Sequence, residues 1–176
     1  SLWYFIFFLT IPFLPLIFSI NIPAIIALFV FLFTGVFYSA TPVRAKSKPP
    51  LDVLFSAIIY VSPALVGFFI TGNTNISWPA VLAALIWAFG MQTYSAVPDI
   101  IADRKAKVNT LATVLGEKKA LCFCFAAYFI SAAIGYLYIG FISIVFGFIY
   151  CAIVLLSIYN FSKLFKYYTY FPLINV

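Results

Sequence analysis

Charge is what this chain most conspicuously lacks. Of its 176 residues only 8% are charged, four are acidic, and there is no histidine. A soluble domain carries about 25% charged residues, so this few cannot clothe a water-facing surface. That excludes a soluble cytosolic enzyme and a disordered tail. Three cysteines without a histidine supply neither a disulfide framework nor a zinc or haem ligand set. What is abundant is apolar: 66% hydrophobic residues, with 22 Phe and 12 Tyr, and a mean hydropathy of +1.17. The composition predicts a polytopic membrane protein whose exterior faces lipid.

The charges fall into three clusters, 44–52, 99–119 and 163–166, separated by charge-free runs at 1–43, 53–98 and 120–162. A helix needs about 20 residues to cross a bilayer core, so each run is long enough for two crossings. Turn signals divide them: Asn21-Ile22-Pro23, Gly72-Asn73-Thr74-Asn75 and the Gly135 to Gly140 region. No segment alternates with the two-residue period of a membrane barrel strand. The expectation is an all-α polytopic transmembrane helix bundle, a single membrane domain over 1–176. Its six helices fall near 2–20, 24–39, 53–71, 79–97, 120–139 and 141–160. Three hairpins place every basic residue on one side, and the positive-inside rule makes that side cytoplasmic, in the cell (inner) membrane. Both ends read as cut. The chain opens apolar from residue 2, and Phe171 to Val176 resembles the start of a further span, so an interior piece of a longer protein is expected.

Two of the charged clusters carry chemistry. In Tyr38-Ser-Ala-Thr-Pro-Val-Arg44-Ala-Lys46-Ser-Lys48-Pro-Pro-Leu-Asp52, prolines favour extended backbone, which would aim Arg44, Lys46 and Lys48 to one side. The loop reads equally as positive-inside decoration and as a phosphate clamp, since arginine and lysine both hold phosphate oxygens. In the second cluster, Asp99 and Asp103 are four apart and share a helical face. Like charges so placed repel, and they suit a hard divalent cation such as Mg²⁺, which takes one or two carboxylates plus phosphate oxygens. Pro98 suits the first turn of a new helical segment, setting Asp99 near its N-terminus. An ordinary solvated loop is the alternative reading.

Together, Tyr38-Ser-x-x-Pro-x-Arg44-x-Lys46, then Tyr94-x-x-x-Pro98-Asp99-x-x-x-Asp103, then Thr110-Leu-Ala-Thr-Val-Leu-Gly116 resemble the UbiA superfamily of intramembrane prenyltransferases. Met91 to Ile100 looks most like its lycopene elongase branch, in carotenoid biosynthesis. The resemblance implies a nine-helix fold of which this chain holds helices three to eight, without the first aspartate-rich motif, and hence no activity from these residues alone. It implies Mg²⁺ on Asp99 and Asp103, and a diphosphate bound by Arg44 and Lys46. It further implies transfer of an isoprenyl, here dimethylallyl, group from its diphosphate to a lipophilic acceptor such as lycopene. Other branches act on quinone, haem or chlorophyll precursors. The pattern departs at Gln92 and Lys107, where some members carry acids. Lys107 lies about two turns past Asp99 on roughly the same helical face, and could reach the diphosphate.

The resemblance also gives the aromatics beside both motifs, Tyr38 and Tyr94, a role in stabilising an allylic cation by cation–π attraction, although packing is the commoner use of any one aromatic. No nucleic acid and no obligate protein partner is expected. A transporter would place ionisable residues near the midplane of its spans, and these spans carry none. A non-catalytic scaffold gives no reason for two acids four apart opposite a basic loop.

Overall fold

The computed structural model describes residues 21–171, which form eight α-helices, five long ones on expected spans and three short ones, of which the two at Leu111–Leu115 and Leu164–Tyr168 were not expected from the sequence. They are α1 (Ile22–Ser39), α2 (Leu51–Ile70), α3 (Trp78–Ala96), α4 (Ile100–Lys105), α5 (Leu111–Leu115), α6 (Glu117–Ile139), α7 (Phe141–Tyr159) and α8 (Leu164–Tyr168). There is no strand among the described residues. The five long helices match the expected spans to within three residues at each end, and the expected helix at 2–20 lies outside the described residues. Long helices pack in sequence, α1 on α2, α2 on α3, α3 on α6 and α6 on α7.

Local chemistry sets the ends. Asn21 caps α1, its Oδ1 accepting from Ala24 N–H at 3.0 Å, with Pro23 in the first turn where a missing N–H is harmless. The Asn21 amide also donates to the Phe69 carbonyl, tying the two helix ends at the uncharged face of the bundle. The break between α6 and α7 falls at Gly140, with φ +62° and ψ −144°, a conformation essentially reserved for glycine. Glu117 opens α6 as the charge cluster suggested. Lys163 and Lys166 lie beyond α7, in a 3-10 turn at Phe161–Lys163 and in α8.

Helices α1, α2, α6 and α7 are long and apolar enough to cross a membrane. Helix α3 has 19 residues and no charge, but its last turns hold Gln92, Thr93, Tyr94 and Ser95 and make it less apolar. Thr93 and Tyr94 are turned inward and buried. Outward-facing Phe29, Phe33, Leu137, Phe141 and Phe148 are exposed, as lipid-facing side chains of an integral membrane protein must be. The core is aromatic: Tyr94 stacks on Phe171 with ring centroids 4.5 Å apart, and Tyr128 on Tyr150 at 4.8 Å. Cys122 is exposed and Cys124 buried, on different faces as their two-residue spacing requires.

Candidate active site

The chain ends of α1, α2 and α3 bring both charged loops to one end of the bundle. Two long-range hydrogen bonds join the segments that bear them. Gln92 Nε2 donates to Tyr38 Oη at 3.2 Å, linking the last turn of α1 to the last turns of α3. Leu111 N–H donates to Asp52 Oδ2 at 2.7 Å, linking the first turn of α2 to α5.

The basic loop differs from the extended form read from its prolines. Ala45–Ser47 is a 3-10 turn, entered through Arg44 in the left-handed region at φ +45°, ψ +56°. Arg44 N–H donates to Ala40 C=O at 2.8 Å and Lys48 N–H to Ala45 C=O at 2.9 Å. These local bonds, with Ala45 fully buried, override the proline preference, so simple alternation does not set where Arg44, Lys46 and Lys48 point. Arg44 is exposed and Lys46 half-buried.

Asp99 immediately precedes α4, and its side chain makes no capping bond. Pro98 sits in the turn before α4 and not in its first turn. Asp103 N–H donates to Asp99 C=O at 2.8 Å, a helical bond that stacks the two residues on one face. Partial burial pushes the Asp103 carboxyl above the usual carboxylate range, and the negative charge of Asp99 pushes it in the same direction. Two carboxylates that repel in this way fit a hard divalent cation. Among the described residues no group of three His, Cys, Asp or Glu side chains could hold a metal ion. Mg²⁺ needs no such cage, since substrate phosphate and water complete its shell.

Lys107 departs from the helical-face expectation. Helix α4 ends at Lys105, and Lys107 has φ +55°. Val108 N–H donates to Asp103 C=O at 2.9 Å and Lys107 N–H to Arg104 C=O at 3.2 Å. That pair of bonds is a Schellman termination with Lys107 at the left-handed position. The chain has reversed there, so counting helical turns from Asp99 does not place Lys107.

Of the two tyrosines, Tyr38 is half-buried beside Gln92. Tyr94 is wholly buried. Its hydroxyl bonds Ser157 Oγ at 2.7 Å, and its ring lies on Phe171. Sequence reasoning missed Asp52, because its partner is a backbone N–H 59 residues away and leaves no side-chain signature. A cavity of about 370 Å³ among α3, α6 and α7, lined by Ala80, Ala84, Trp87, Gly135 and Tyr138, is lined by none of the predicted site residues.

The described residues thus form an all-α membrane bundle with a basic loop and a helix bearing two aspartates at one end. The chain belongs to the UbiA prenyltransferase family, whose model matches residues 1–171. A lycopene elongase/hydratase of Haloarcula japonica is 36% identical over 121 residues, covering 68% of this chain and 41% of the relative. One from Halobacterium salinarum is 42% identical over 97 residues, covering 55% of this chain and 35% of the relative. A third, from Corynebacterium glutamicum, is 33% identical over 138 residues, covering 71% and 45%. These are relatives in the carotenoid branch, and the chain spans less than half the length of each. No solved structure matches it.

Proposed function

We propose that this single membrane domain, 1–176, is the part of an intramembrane prenyltransferase that binds the diphosphate of an isoprenyl donor from the cytoplasmic side of the cell membrane. The donor is dimethylallyl diphosphate and the acceptor an apolar carotenoid, lycopene or a close relative. The observation that carries the reading is the joining of the two motif-bearing helix ends through Tyr38 and Gln92, with Asp99 and Asp103 on one face of α4. The names of the relatives support the acceptor class.

Asp99 and Asp103 would hold Mg²⁺, which when bound supplies positive charge to the leaving diphosphate. Arg44 and Lys46, and Lys107 as a third candidate, bind the phosphate oxygens and offset the charge that builds as the allylic C–O bond breaks. Tyr38, held beside Gln92, would offer its ring to the developing carbocation, an attraction of about 2 kcal/mol when desolvated. Tyr94 has a different part from the one the resemblance implies: it fixes α3 against α7, because Ser157 and Phe171 occupy its hydroxyl and ring. The acceptor alkene attacks the cation as the diphosphate leaves, and loss of a proton completes the transfer; a lipid-embedded site would keep water from quenching the cation. Spans whose only acids, Asp52 and Glu117, lie in their first turns suit an acceptor that has no polar group to be recognised.

The test is prenyl transfer by the purified full-length protein in a bilayer, with Mg²⁺, labelled dimethylallyl diphosphate and lycopene. The expected product is a carotenoid one prenyl unit longer, absent from the Asp99→Asn, Asp103→Asn double variant. Unchanged lycopene with the wild-type protein, or full transfer by the double variant, overturns the proposal.

A further inference from the structure

We propose that Asp52 is a positioning residue, holding the loop with Arg44 and Lys46 in register with the helix that bears Asp99 and Asp103. The inference rests on the diphosphate reading above and deepens it, by giving a buried carboxylate a role in that site without contact to the ligand.

Asp52 is the second residue of α2 and only 2% exposed. A carboxylate this deep is expensive unless hydrogen-bonded, and its long-range bond is the 2.7 Å one from Leu111 N–H. Leu111 is the first residue of α5, so the carboxylate faces the N-terminal ends of both α2 and α5, where negative charge is favoured. Its other oxygen, Oδ1, is buried with no hydrogen-bond partner.

From each end of this bond a short hydrogen-bonded path leads to a residue that adjoins predicted site residues in sequence, Ala45 upstream and Arg104 downstream. Upstream, Leu51 N–H donates to Lys48 C=O at 2.7 Å, and Lys48 N–H to Ala45 C=O at 2.9 Å, between the predicted Arg44 and Lys46. Downstream, Thr110 and Thr113 form a reciprocal capping box around the start of α5. Arg104 Nη2 then donates to Thr113 C=O at 3.2 Å, returning the path to the residue after Asp103. Both loops are thus locally stiff, and the Asp52–Leu111 bond is the clasp between them. Removing such an outer partner of a metal site costs about 10- to 100-fold in affinity.

The experiment measures binding of inorganic pyrophosphate to the full-length protein as a function of Mg²⁺ concentration, alongside the thermal midpoint of each variant. Asp52→Ala removes the acceptor. Leu111→Pro removes the donor N–H while keeping an apolar, smaller side chain, and Leu111→Ala controls for the lost side chain. Proline is tolerated at the first helical position, and Thr110, at φ −111° and ψ 165°, already has the extended backbone required before proline. Asp52→Ala and Leu111→Pro are each expected to weaken binding by about 10- to 100-fold and to raise the Mg²⁺ concentration for half-saturation. The double variant should do little more than either single one. Asp52→Asn keeps an acceptor oxygen and should restore most of the binding, and with Leu111→Pro it decides the question if Asp52→Ala does not fold. Wild-type binding and Mg²⁺ dependence in folded Leu111→Pro, or additive losses in the double variant, overturn the proposal. A wild-type protein that does not bind pyrophosphate, or one indifferent to Asp99→Asn, Asp103→Asn, overturns the diphosphate reading itself, and this inference with it.

Discussion

Gly147 is a point of close approach between α7 and α6. A Cβ placed there would lie well inside van der Waals contact with the Ala132 Cβ. Two effects compete in Gly147→Ala. Replacing a mid-helix glycine gains about 1 kcal/mol of helix propensity. The added methyl forces α6 and α7 apart, and overpacking of this kind costs about 1–3 kcal/mol. The same crossing carries the Ser143 Oγ to Ala132 C=O bond of 3.0 Å, which lengthens as the helices part. Strain therefore wins, and the variant should be destabilised by about 1–2 kcal/mol. Ala132→Gly alone loses about 1 kcal/mol of propensity. Combining them exchanges the two sides of the contact, so the double variant should return to within about 0.5 kcal/mol of the wild type, a coupling in the range of residues in direct contact. Denaturant titration of the full-length protein in detergent, followed by helical circular dichroism, measures all four corners of the cycle. A stabilised Gly147→Ala, or a double variant no better than the sum of its parts, refutes this packing of α6 on α7.

Three further outcomes are expected. Lys107→Gly relieves the left-handed backbone at φ +55° and should raise stability by about 1 kcal/mol; pyrophosphate titration of the same variant reads whether the lost ammonium also weakens binding. Asp99→Asn removes the charge that helps raise the Asp103 carboxyl, so Asp103 should titrate at lower pH, as followed by carbon-13 NMR. Because the raised carboxyl takes up its proton sooner, Mg²⁺ binding by the wild type should fail at a higher pH on acidification than ordinary carboxylates would dictate. Gln92→Leu removes the bond to Tyr38 Oη; it should cost about 1 kcal/mol of stability and lower kcat more than it raises KM, whereas a purely structural contact would leave both constants unchanged in the folded fraction.

The long helices among the described residues were legible because charge is so scarce: fourteen charged side chains cannot be hidden in lipid, and they mark the loop-side helix ends to within a few residues. The turn signal at Asn21-Ile22-Pro23 was legible as a break, while the capping bond that Asn21 makes to Ala24 N–H came only with the structure. What escaped depends on atoms distant in sequence or on backbone signs that residue type does not dictate. The turn at Ala45–Ser47 is closed by main-chain bonds around a buried alanine, and nothing in Pro-Val-Arg-Ala-Lys announces it. Lys107 occupies a position that glycine normally fills, which disguised the end of α4. Tyr94 lies beside the aspartate motif in sequence, yet its side of α3 is set by Ser157 on α7. The Asp52 clasp ends on a main-chain N–H, the least legible partner of all.

Everything proposed for the site depends on the basic loop and the paired aspartates making one Mg²⁺–diphosphate site. The decisive measurement is calorimetric titration of the full-length protein with inorganic pyrophosphate, with and without Mg²⁺. It compares the Arg44→Gln, Lys46→Gln and Asp99→Asn, Asp103→Asn double variants and their combination. The aspartate variant is expected to lose the Mg²⁺ dependence and the basic-loop variant to bind at least about 10-fold more weakly, with a combined loss smaller than the sum of the two. Mg²⁺-dependent binding that survives both sets of substitutions, or losses that simply add as they do for independent sites, would contradict a single shared site.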